Sequence, residues 1–193
     1  MEVLAGLPIV LFASQGAWEQ WLDTYHERSE GIWVKIAKKD SETTTVSYSE
    51  ALEVALCYGW IDGQKKPYDL DMWVQKFTTR RPKSVWSKVN VDKVMLLVAS
   101  GRMKPSGMKE VNAAKEDGRW DAAYESQRNF TIPDDFQIEL EKNEQAKSFF
   151  GTLNRQNRYA ICYRIQTAKK PETRKARIDK FVEMLANSQM LYP

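Results

Sequence analysis

Ser47-Tyr48-Ser49-Glu50-Ala51-Leu52-Glu53-Val54-Ala55-Leu56-Cys57-Tyr58-Gly59 carries the signals of a complete helix. The Ser47 hydroxyl can accept from the amide three residues on, while the Glu50 carboxylate reaches back, which is a capping box. Leu52, Ala55 and Leu56 recur at helical spacing, and Gly59 is the natural left-handed stop. Upstream, Ile32-Trp33-Val34-Lys35-Ile36-Ala37 is β-branched and aromatic and predicts a strand; downstream, Trp73 to Phe77 alternates as another. Pro8 to Phe12 predicts a short buried strand. Ser14 caps a helix from about Gly16 to Gly31, with Trp18, Trp21, Leu22 and Tyr25 as its buried stripe. Lys38 to Thr45 is a polar loop, and Trp60-Ile61-Asp62-Gly63 with Lys65, Lys66 and Pro67 follows the Ser47 helix with no element assigned. Strands and helices therefore interleave over the first 80 or so residues, as in a small mixed sheet covered by helices.

The remainder reads as helical. Asn90 caps a helix whose inner face is Val91, Val94, Met95 and Val98, closed by Gly101. Pro105 suits the first turn of another, ending near Gly118. Asp134 and Asp135 sit where a helix N-terminus favours negative charge. Helices over Ala146–Leu153 and Arg158–Thr167 precede a last one opened by Pro171 and Glu172, with Ile178, Phe181, Val182 and Leu185 as its stripe. The expected class is α+β: an α/β region over residues 1–90 and a helical region over 91–193.

Composition bounds the rest. The chain has 193 residues, 42% hydrophobic and 28% charged, with a formal charge of +3. That supports a real core in one domain or two small ones, and excludes global disorder and a disulfide-stapled miniprotein. No apolar run of about 18 residues is present to span a bilayer. Val3 to Phe12 is apolar, but the only early charge is Glu2, which does not match the basic start of an export signal. The expectation is a cytoplasmic protein. Cys57 and Cys162 each lie in a helix-like apolar pattern and are expected as buried, reduced thiols.

Charge is unevenly spread. Residues 1–72 carry a net of −6 and residues 105–153 a net of −4, whereas residues 73–104 carry +7 and 154–193 carry +6. Two readings stand: basic helices paired with the acidic stretches, or an anion site where both basic blocks converge. Arg80-Arg81-Pro82 is the strongest anion candidate, because two guanidinium forks after a strand suit phosphate or carboxylate. Arg174 and Arg177 on the last helix are second contributors. Around the pair, Trp60 and Trp86 offer apolar faces, while Asp62, Lys65, Ser87 and Asn90 offer polar handles. The structural alternative makes the tryptophans core anchors and Asp62 the ion partner of Arg80 or Arg81.

Familiar catalytic signatures are missing. His26, the only histidine, is expected on a helix surface, and one histidine with two separated cysteines makes no standard zinc site. Neither G-x-S-x-G, a P-loop nor G-x-G-x-x-G is present, and no cofactor is implied. Three functions follow in order: a binding protein with a basic and aromatic anion surface, a single-stranded nucleic-acid module, and an enzyme using Asp62 as acid or base. The partner classes are an anionic small molecule, a protein and nucleic acid.

Several ordered segments carry a family resemblance: Ala55 to Gly63, Phe77 to Asn90, Gly101 to Met108, Asp117 to Tyr124, Asn157-Arg158-Tyr159, and Ala168 to Arg174 with the final helix. They resemble the YdeI/OmpD-associated family over nearly the whole chain. The resemblance implies an N-terminal α/β part and a C-terminal helical segment at about 134–190. It also implies bacteriocin protection or resistance to cationic antimicrobial peptides, association with an outer-membrane porin, and an envelope location. It supplies no catalytic residues.

Overall fold

In the computed structural model, which describes residues 2–127 and 129–193, the chain is α+β. The described residues form two compact units, one of residues up to 84 with 90–122, the other of 85–89 with residues from 123 onward.

The first unit is built on a five-stranded sheet of order β1-β2-β3-β5-β4, with β1 Val3–Leu4, β2 Leu7–Leu11, β3 Ile32–Ala37, β4 Trp60–Pro67 and β5 Met72–Thr79. Neighbours are antiparallel except β2 and β3, whose parallel pairing needs a crossover. Helix α1, Gln15–Tyr25, supplies it. Ser14 caps α1 by accepting from the Ala17 amide at 3.2 Å. Trp18 and Leu22 are buried, Trp21 is half-buried, and Tyr25, expected in the buried stripe, is exposed. Helix α2, Tyr48–Cys57, has the predicted capping box. The Trp18 indole donates to the Ala51 carbonyl at 3.0 Å and packs on Phe77 of β5, which ties both helices to one sheet face.

Further differences from the sequence reading appear in this unit. Residues 60–67 form a strand, paired only with β5 and interrupted by a bulge between Asp62 and Lys65. Helix α3, Lys88–Ala99, begins two residues before Asn90, and its buried face is Val91, Val94 and Leu97, whereas Met95 and Val98 are exposed. Helix α4, Pro105–Glu116, has Pro105 in its first turn as expected.

The second unit is helical: α5 Asp134–Glu141, α6 Glu144–Thr152, α7 Arg155–Gln166 and α8 Pro171–Ala186. Phe136, Leu140, Phe150, Ile161, Ile165, Ile178, Phe181 and Leu185 form one apolar core. Asn143 and Asn154 cap α6 and α7 with their side-chain oxygens. Cys57 in the first unit and Cys162 in the second are buried and free, and burial pushes their thiols up to about 11 and about 12. No helix among the described residues is long and apolar enough to cross a membrane.

Candidate functional site

The end of α2 is where the first unit builds a hollow. Gly59 turns the chain from α2 into β4 with φ +74°, a conformation costly for any residue with a Cβ. Its carbonyl accepts from the Arg80 amide at 3.1 Å, and the Cys57 carbonyl accepts from the Lys104 amide at 3.1 Å. A Cβ at Gly107 would lie 2.2 Å from the Cys57 oxygen, and one at Gly59 would lie 3.0 Å from the Ser106 oxygen. These two glycines let the first turn of α4 press on the α2–β4 corner. The resulting hollow, of about 480 Å³, has Trp60 and Arg80 in its wall together with His26, Tyr58, Ser106 and Glu110. Glu27, Thr79, Pro105 and Lys109 are exposed around it.

Its chemistry is set by burial. Arg80 is only 6% exposed, and its Nη1 donates to Ser84 Oγ at 3.3 Å. A guanidinium cannot shed its proton when desolvated, so it remains a fixed positive charge there. His26 is half-buried, with 19% of its side chain exposed, which corrects the surface position expected for it. Its ring meets Tyr58 edge-on at 5.2 Å, a partner 32 residues away. A carbonyl can only accept, so His26 Nδ1–H donates to the Leu22 oxygen at 2.8 Å. In the neutral ring, Nε2 is then the acceptor. Tyr58 donates a short hydrogen bond to Asp23. Burial, with that bond, drives its hydroxyl far above the ordinary phenol range, so Tyr58 is a neutral donor. The Trp60 indole, 1% exposed, donates to the His26 carbonyl at 3.2 Å and serves as framework.

Arg81 does not join Arg80. It lines a second hollow of about 310 Å³ with Leu7, Glu30, Lys76 and Thr78. Adjacent residues leaving a strand project to opposite sides, so the two forks diverge. Asp62 pairs with neither arginine: its carboxylate accepts from the Tyr48 hydroxyl at 2.8 Å, and among the described residues it has no ion pair. The Lys65 ammonium sits 4.0 Å from the centre of the Trp73 ring, and those of Lys66 and Lys76 lie over Trp33 at 5.5 and 6.0 Å. Asn90 lies half-buried inside the first turn of α3.

The other predicted residues belong to the second unit. Trp86 is 2% exposed, and Ser87 forms a parallel bridge with Tyr124. Arg174 grips Asp135 through two bonds of 2.6 and 2.7 Å and donates to the Ile165 carbonyl at 3.0 Å. Arg177 donates to the Arg164 carbonyl. Both arginines therefore close the C-terminal end of α7, where cations are favoured.

The residues missed in the sequence are Tyr58, Ser106, Lys109 and Glu110. The visible signal for Tyr58 and Ser106 is the pair of glycine-bearing segments at 55–63 and 101–108, which the fold brings together; Lys109 and Glu110 follow directly after the second. Among the described residues no three His, Cys, Asp or Glu side chains converge as metal ligands would.

Residues 10–110 match the family described as a domain of unknown function, DUF8412, and so contain the whole of this hollow. Residues 129–188 match the family described as bacteriocin-protection, YdeI or OmpD-associated, a narrower span than the whole-chain resemblance expected from the motifs. No curated protein and no solved structure matches the chain. The first match covers more than half of the chain, which is therefore a member of the DUF8412 family, with the YdeI/OmpD-associated match confined to its C-terminal helices.

Proposed function

We propose that this is a ligand-binding protein of the YdeI/OmpD-associated type, acting in bacteriocin or cationic-peptide protection rather than in catalysis. Its ligand presents an anionic group to the Arg80 hollow. One observation carries the reading: Arg80, only 6% exposed, lines an open hollow to which three motif segments of the chain contribute. A charge held this far from solvent beside a hollow acts on an entering anion with little screening. Lys109 adds a second cation from the rim. Asp62, held by Tyr48 and absent from the lining, gives no support to carboxylate catalysis here.

The test is an amide-shift titration of the full chain with inorganic phosphate, sulfate and propionate at constant ionic strength. The expected shifts centre on Gly59, Arg80 and Ser106, and Lys109→Ala weakens binding about threefold to tenfold without lowering the melting temperature. Shifts absent from these amides would reject the reading. A second reading, single-stranded nucleic acid, is favoured by Lys66, Lys76 and Arg81, which among the described residues enter no ion pair. It predicts oligonucleotide binding that weakens steeply with salt. The stacking part of that recipe lacks support, since Trp33 is buried beneath the lysines rather than open to a base.

A further inference from the structure

The lining of the Arg80 hollow is not a simple cationic trap. Its fixed cations are Arg80 and Lys109, and its carboxylates are Glu27 and Glu110; His26 is the remaining titratable base. Glu27 is exposed and lies 3.8 Å from His26 Nε2. Glu110 is half-buried, and among the described residues its carboxylate takes part in no hydrogen bond or ion pair. A pure anion entering the hollow would meet that carboxylate as a like charge in a partly desolvated place, where repulsion is weakly screened.

A single glycine lets Glu110 approach this wall. Glu110 Cγ lies 3.0 Å from where a Cβ of Gly59 would stand, and the carbonyl of the same Gly59 accepts from the Arg80 amide. Glu110 thus packs at the same backbone corner that holds the start of the Arg80 segment, and both residues line the hollow. We infer that the hollow selects a compact zwitterion, an aminocarboxylate whose anionic end faces Arg80 and whose ammonium takes Glu110. This rests on the anion reading of the same hollow and adds the second charge to it. The volume, about 480 Å³, is within the range of small-ligand sites and leaves room for a short chain joining the two charges.

The experiment is an amide-shift titration of the full chain with four probes at fixed ionic strength: propionate, propylammonium, β-alanine and 4-aminobutyrate. The expected result is that an aminocarboxylate binds about tenfold more tightly than propionate, the effect of one added charge-assisted contact. Glu110→Gln, nearly isosteric at a side chain with no partner to lose, should bring the aminocarboxylates to the propionate level and leave propionate unchanged or stronger. Glu110→Asp, which keeps the charge, should retain a preference for the aminocarboxylates. Propionate binding as tightly as both aminocarboxylates, with no response to Glu110→Gln, overturns the zwitterion while leaving the anion site standing. Failure of propionate and both aminocarboxylates to move Gly59, Arg80 and Ser106 overturns both.

Discussion

Gly107 and Gly118 separate two reasons for a glycine. Gly118 has φ +76° with open space around its Cα, so Gly118→Ala meets only the left-handed backbone cost of about 1–2 kcal/mol. Gly107 lies inside α4 with ordinary helical geometry, but an added Cβ would stand 2.2 Å from the Cys57 oxygen and 2.7 Å from its carbon. Backbone cannot swing aside as a side chain can, so Gly107→Ala should cost about 3 kcal/mol or more. Urea unfolding midpoints of the two variants check this; equal losses would mean that α4 does not press on α2 as described. Nothing local marks Gly107 as the tighter position. Its neighbour comes from 50 residues away, and the same separation hid Ser106 and Glu110. His26 was misread for a related reason: its helix is amphipathic, but Tyr58 arrives from another element to cover the ring. Arg80 could be picked out by type and Glu110 could not, because a carboxylate gains meaning only from the hollow it lines.

Elements whose signals are local were legible. Helix α2 has its capping box in four consecutive residues and its stop in one glycine, and both form as read. Strand β4 was illegible because its sequence, Trp60-Ile61-Asp62-Gly63-Gln64-Lys65-Lys66-Pro67, lacks sustained alternation. It is an edge strand held by β5, bulged at mid-length and ending in two lysines and a proline. Those features also discourage pairing with another chain. In the second unit the α5–α8 contact depends on Asp135 and Arg174. The guanidinium holds the Asp135 carboxyl below its ordinary range, so the unfolded chain takes up this proton more readily than the folded one. The resulting stability is present above about pH 4 and is lost as pH falls through the lowered folded value. Asp135→Asn should therefore be less stable than wild type at pH 7, and the gap should narrow as pH falls below about 4. Arg174 also caps α7, so Arg174→Ala should lose more than Asp135→Asn and keep a deficit in acid. Chemical denaturation at pH 7, 4 and 2.5 distinguishes the two variants.

Across the molecule, the two compact units have different means of closure. The first closes on glycine-permitted backbone contact; the second closes on its own C-terminal tail. Asn157, 0% exposed, accepts from the Leu191 and Tyr192 amides at 3.1 and 2.9 Å and donates to the Tyr192 carbonyl at 3.0 Å. A side chain that satisfies three backbone groups substitutes for a strand partner, and the tail has no regular structure to supply one. The Asn157-Arg158-Tyr159 motif thus has a structural use at its first residue. Asn157→Ala leaves those groups without their partner and should cost about 2–4 kcal/mol, and Asn157→Asp, which keeps the acceptor but buries a carboxylate against the Tyr192 carbonyl, should cost no less. The unit boundary makes the prediction spatially specific. Amides of α5–α8 should exchange faster in Asn157→Ala, because their core includes the elements that the tail pins, while amides of β3, β5 and α2 should keep wild-type protection. Hydrogen exchange read residue by residue checks it. Uniform acceleration through the sheet as well would show that the chain unfolds as one cooperative body, and the Arg80 hollow would then owe its stability to a tail that lies in the other unit.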